Sequence, residues 1–157
     1  MLKLSFEPGL HEMIPHQWDF FVPSDGTIRV MLKLTTVFFV ITLSVMATLH
    51  WLSLSFFLYW RWEWVDIVMH LFGGAVAALG LFTIRDFVRS IPERFEYVGP
   101  IMAGVIIVIL LWELFEFFVV GIPLNAPGIV FDTVLDIAMG MVGGFVGFLV
   151  GHNLRHL

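Results

Sequence analysis

Four long apolar runs leave this chain few ways to fold. They cover about residues 31–59, 64–82, 98–120 and 130–150, and a helix needs about 20 mainly apolar residues to cross a bilayer. In hydrocarbon the backbone must satisfy its own hydrogen bonds, so runs of this kind become helices rather than irregular chain. The joining segments are short, and sequential helices are expected to run antiparallel. The expected fold is therefore all-α: a polytopic membrane protein built as a four-transmembrane-helix antiparallel bundle over residues 30–157. Residues 1–29 contain Pro8, Pro15 and Pro23 among acids and histidines. They are too polar and too interrupted to span, and read as a cytoplasmic or interfacial segment resting on the membrane through Trp18, Phe20 and Phe21. They also lack the basic start, apolar stretch and small-residue cleavage site of a signal peptide.

Composition agrees. Hydrophobic residues make up 59% of 157 and charged residues 13%, against about 45–50% and about 25% in soluble domains. Eight Lys+Arg face thirteen Asp+Glu, so there is no basic stripe for nucleic acid. With no cysteine, disulfides, thiolate nucleophiles, Fe–S clusters and Cys-type zinc sites are excluded.

Trp51, Tyr59, Trp60, Trp62 and Trp64 crowd the first connection, as expected of rings anchored at a membrane–water interface. Lys3, Arg29, Lys33, Arg85, Arg89, Arg94 and Arg155 fall on one side of the spans and Arg61 alone on the other. By the positive-inside rule, that split predicts cytoplasmic N- and C-termini in the cell's inner (plasma) membrane. Small residues recur four apart, as Gly73–Ala77 and Gly74–Ala78 on the second span and Gly140–Gly144 and Gly143–Gly147–Gly151 on the fourth. Such stripes let helices approach closely, within the bundle or between copies.

The informative residues are the polar ones inside the apolar runs. Asp66 and His70 are four apart on the second span, Glu113 and Glu116 three apart on the third, and Asp132 and Asp136 four apart on the fourth. Residues three or four apart share a helix face. With the antiparallel order, all six fall within about two turns of the same membrane face, the one away from the cytoplasm. A charge at bilayer depth costs about 2.5–3.5 kcal/mol or more and normally faces the bundle interior and pairs. Five carboxylates have one imidazole for company, so either several are protonated or a bound cation supplies positive charge. His50 stands alone on the first span and reads as a structural hydrogen-bonding group.

Carboxylates with an imidazole suit a divalent metal ion such as Mg²⁺, Mn²⁺, Zn²⁺ or iron. HExxH, GxSxG, GxGxxG and Walker patterns are absent, as is the Glu-x-x-His of di-iron bundles. The leading reading is a metal site built from Asp66, His70, Glu113, Glu116, Asp132 and Asp136. In its catalytic form it is a lipid-headgroup hydrolase or transferase with His70 or Glu113 as general base. Two others stand beside it: a proton- or ion-coupled transporter subunit, and a non-catalytic accessory subunit. The partners expected are membrane lipids and either a homo-oligomer or a larger membrane complex.

The order Asp66-x-x-x-His70-x-x-Gly73-Gly74, Trp112-Glu113-x-x-Glu116, Asp132-Thr133-x-x-Asp136 and Gly143-Gly144 resembles the YjdF-type family of uncharacterised prokaryotic inner-membrane proteins. More loosely it resembles the VanZ-like family. The likeness covers roughly 64–151, about half the chain. It implies a multi-helix membrane protein whose acids and histidine converge. The VanZ-like comparison implies a link to glycopeptide resistance or envelope lipids. YjdF-type members carry more helices ahead of the shared part, where this chain has one, and the usual VanZ-like Gln and Asn positions are poorly matched.

Overall fold

The computed structural model describes residues 33–88, 90–120 and 127–155. The N-terminal segment 1–29, Arg89 and the 121–126 connection lie outside the described residues. The described chain is an all-α bundle. Its elements are α1 (Leu34–Ser55), a short α2 (Leu58–Arg61), α3 (Trp64–Phe87), a 3₁₀ turn at Glu93–Glu96, α4 (Val98–Phe115) running into a π-helical turn at Glu116–Val120, and α5 (Ile129–Leu154). Four of these helices, at 22, 24, 22 and 26 residues with the π turn counted into the third, are long and apolar enough to cross a membrane. Their outer surfaces are apolar, with Val40, Ile41, Ile107, Leu111, Val142 and Val146 all exposed.

Local chemistry sets the ends. Pro100 sits in the first turn of α4, where a missing N–H costs nothing. Gly128 precedes α5 at φ 86°, a left-handed value that glycine adopts without a Cβ clash. The 31–59 run is longer than one crossing needs, and the chain uses the surplus to turn back. α1 stops at Ser55, Phe57 takes a left-handed φ of 56°, and α2 returns toward the bundle. In one continuous helix residues 50 and 59 would lie about 13.5 Å apart along the axis. Here the Tyr59 hydroxyl lies 2.8 Å from His50 Nδ1.

α3 is the central helix, packed against α5, α1 and α4. Its tightest partner is α5, and that pairing is parallel. Gly140 and Gly144 face Gly74, Gly147 faces Ala75, and Gly151 faces Phe82, so both numberings rise in the same direction. A Cβ on Gly74 would lie 2.7 Å from the Gly144 nitrogen, and one on Gly147 would lie 2.7 Å from the Ala75 carbonyl oxygen. The α5 glycines are thus spent on contact inside the chain. Sequential neighbours are antiparallel: Gly80 of α3 meets Phe39 of α1, and Gly104 of α4 meets Leu81 of α3. Between α3, α4 and α5 lies a dry core of Ala78, Phe82, Ile101, Val105, Ile109 and Phe148.

One end of the bundle is closed by ion pairs. Asp86, whose side chain is 5% exposed, accepts from Lys33 Nζ at 2.8 Å, Thr35 Oγ1 at 2.7 Å and Arg155 Nη2 at 2.6 Å. Arg85 and Arg155 both pair with Glu96, and Arg155 also donates to the Phe82 carbonyl at 2.8 Å. This clasp ties the start of α1 to the ends of α3 and α5. It also explains why α3 continues to Phe87, beyond the apolar run that ends near residue 82.

Candidate metal centre

The parallel α3–α5 pairing decides what meets at the other end. Both helices begin there, so Asp66 and His70 in the first two turns of α3 stand beside Asp132 and Asp136 in the first two turns of α5. α4 runs the opposite way and finishes there, delivering Glu113 and then Glu116 at the first residue of the π turn. π turns commonly mark functional sites.

His70 is the hub. Its side chain is 5% exposed, as is that of Asp136, and Glu113 is 14% exposed. Nε2 lies 3.7 Å from Asp66 Oδ1 and 3.8 Å from Asp136 Oδ1, while Nδ1 lies 3.7 Å from Glu113 Oε1. These gaps exceed the 2.7–3.2 Å of an N–H···O hydrogen bond. They fall inside the span of two donors on one ion at about 2.0–2.2 Å from each. Two triads place one ligand atom per residue within 4.8 Å of one another: Asp66–His70–Asp136 and His70–Glu113–Glu116. The Glu113 Oε1 atom is buried without a hydrogen-bond partner, a costly state.

The electrostatics favour a cation. The starts of α3 and α5 carry partial positive charge and suit Asp66 and Asp132. The end of α4 carries partial negative charge, where Glu113 and Glu116 are disfavoured. Among the described residues every Lys and Arg ion pair lies at the opposite, clasped end.

Of the six residues singled out by spacing, five come together: Asp66, His70, Glu113, Glu116 and Asp136. Asp132 is exposed and outside both triads, and it is not a helix cap, because the N-cap is Gly128 and the Asp132 N–H bonds its carbonyl at 3.0 Å. His50 has the hydrogen bond expected of it, and its partner, Tyr59, was not visible in helical spacing. Burial, followed by the Asp66 and Glu116 carboxylates, pushes the Tyr59 hydroxyl up to about 12, so Tyr59 is a neutral phenol beside the cluster. The signal that points to it is the surplus length of the 31–59 run, which invites a fold-back.

No protein-family model, curated protein or solved structure matches the chain.

Proposed function

We propose that this protein is a multi-pass membrane metalloprotein holding one divalent cation between Asp66, His70 and Asp136. The observation that supports this best is the buried His70 imidazole. It is ringed by carboxylates at 3.7–3.8 Å, too far for hydrogen bonds and suitably spaced for shared coordination. The two ring nitrogens point different ways, so one ion takes only one of them. Nε2 faces two aspartates, and Nδ1 faces Glu113. A ligating histidine normally gives its other N–H to a carboxylate, which fixes the ring and raises its basicity. Glu113 is the carboxylate nearest that nitrogen, at 3.7 Å, and a closure of that gap by about 0.5 Å, into hydrogen-bond range, would give its orphaned oxygen a donor. The reverse assignment, with the ion on Nδ1 between Glu113 and Glu116, leaves Asp136 buried against an unligated Nε2.

The oxygen-rich set with one imidazole suits Mn²⁺, Fe²⁺ or Zn²⁺ better than Mg²⁺. Bound there, the ion would act as a Lewis acid and lower the pKa of a coordinated water. The chain's own contribution is to hold three ligands, orient the imidazole through Glu113, and keep the Glu113 and Glu116 carboxylates nearby to move protons. That equipment suits hydrolysis or transfer at a lipid headgroup. The Lys and Arg bias supports an orientation with both termini cytoplasmic and the centre in the far half of the inner membrane. Kinship with the YjdF-type family belongs to this proposal and rests on motif order and spacing. A transporter would need a polar route to the clasped end, whereas Ala78, Phe82, Val105, Ile109 and Phe148 fill the core between.

Equilibrium dialysis of chelator-stripped protein against Mn²⁺ or Zn²⁺, with elemental analysis, tests the reading. Wild type should take up about one ion per chain, and Asp136→Asn and His70→Ala should take up far less. Wild type as metal-free as the variants would overturn it.

A further inference from the structure

The small-residue stripes on α3 face two different neighbours. Gly74 and Ala78 are buried against α5, and a Cβ on Gly74 would strike the Gly140 carbonyl. Gly73 and Ala77, one position back, line a cavity of about 350 Å³ between α1, α3 and α4, with Tyr59 of α2 at its edge. A Cβ on Gly73 would meet nothing within 4 Å. Close packing against α5 therefore accounts for Gly74 and Ala78, although Gly74 also borders the cavity, whereas Gly73 faces open space and Ala77 lies between the cavity and the core.

That space needs an occupant. At about 350 Å³ it is in the size range of small-molecule sites. Its wall is polar at one end, where His50, Tyr59 and His70 converge, and apolar elsewhere, through Met46, Met69, Val76 and Val108. Ordered water needs two to four polar partners, which most of this wall does not offer. The cavity is partly open, and exposed Ile41, Val45, Ile107 and Leu111 clothe the outer surfaces of the two helices beside it. What lies against such a surface in a membrane is hydrocarbon. The lining is an amphiphile's mould: apolar along its length, with imidazole and phenol groups where the chain would join a headgroup, and His70 shared with the carboxylate cluster.

We propose that the α1–α3–α4 cavity seats one hydrocarbon chain of a membrane amphiphile, with its polar linkage held by the His50–Tyr59 pair where the cavity borders His70. The idea rests on the metal-centre reading for its choice of the reacting end and names the substrate class of that centre as a lipid. Tyr59 and His50, hydrogen-bonded to each other at 2.8 Å, then become binding residues for the linkage.

The test uses the full chain in phosphatidylcholine vesicles doped with phosphatidylglycerol whose acyl chain carries a photoactivatable diazirine. After irradiation, adducts are mapped by mass spectrometry and bound metal is measured on the same samples. Wild type should be labelled at Met46, Met69 and Val108. Gly73→Leu, whose side chain grows into open space rather than into backbone, should lower that labelling about tenfold, because the added group competes for the same volume. Its metal content should match wild type, and labelling of lipid-facing Ile41 and Val45 should not change. Labelling confined to Ile41 and Val45, or cavity labelling indifferent to Gly73→Leu, overturns the proposal. Should Gly73→Leu fail to fold, the wild-type adduct map decides alone. Cavity labelling in a protein that takes up no ion sinks the metal reading and leaves the chain site standing. A metal-loaded protein without cavity labelling does the reverse.

Discussion

Alanine in place of Gly143 or Gly73 should separate the two glycine surfaces by stability alone. A Cβ on Gly143 would fall on the Leu71 peptide, 2.7 Å from its carbonyl carbon and 2.9 Å from its Cα. Carbon contacts settle at about 3.5–4.0 Å, so α5 must retreat from α3 by roughly 1 Å. Backbone cannot swing aside as a side-chain tip can, and the retreat loosens the whole Gly140–Gly151 seam. Overpacking of this kind costs about 1–3 kcal/mol. In water, Gly→Ala within a helix would return about 0.8–1.0 kcal/mol of propensity. In a membrane the separated helices are already helical, so little of that is recovered. Gly73→Ala adds the same methyl group where nothing lies within 4 Å, and its stability should stay within about 0.5 kcal/mol of wild type. SDS titration in mixed micelles, followed by tryptophan fluorescence, reads both. Equal losses for the two variants, or a greater loss for Gly73→Ala, would refute the parallel α3–α5 seam.

Other expectations follow from the same geometry. Asp86→Ala removes the acceptor shared by Lys33, Thr35 and Arg155 and should cost about 1.5–3 kcal/mol in that titration, while Lys33→Ala, whose side chain is 58% exposed, should cost less than about 1 kcal/mol. In metal-free protein lacking Tyr97 (Tyr97→Phe), the phenolate absorbance of Tyr59 should appear near pH 12, above the ordinary value of about 10. Asp66→Asn removes one of the negative charges that hold it up and should lower it. Metal uptake should weaken as pH falls, because coordination needs ionised carboxylates and a neutral imidazole nitrogen; proton release on Mn²⁺ addition, followed by a pH electrode in unbuffered solution, checks the sign.

Much of this architecture is legible in the residue string, for a physical reason. Hydropathy and helical spacing are local, and a membrane makes them nearly sufficient for locating helices and their polar faces. Hence each of the four apolar runs holds one long helix, α1, α3, α4 and α5, and the Asp66–His70 and Glu113–Glu116 pairs each point one way. What depends on distant pairing is less visible. Nothing local says that α5 lies along α3 in parallel, or that Asp136 turns inward while Asp132, one turn earlier, stays exposed. The neighbouring stripes Gly73–Ala77 and Gly74–Ala78 look alike in sequence. Only the position of α5 makes one a packing surface and the other a cavity wall. The Phe57 turn is similar: a left-handed phenylalanine has no local signature, yet it brings Tyr59 to His50.

The most direct test is pulsed electron paramagnetic resonance of Mn²⁺ added to the stripped wild-type protein. Coordination between Asp66, His70 and Asp136 predicts about one bound ion per chain with a directly coupled imidazole nitrogen. That coupling should vanish in His70→Ala and persist in His50→Ala. Mn²⁺ that stays free, or that binds with no nitrogen coupling, would contradict the account.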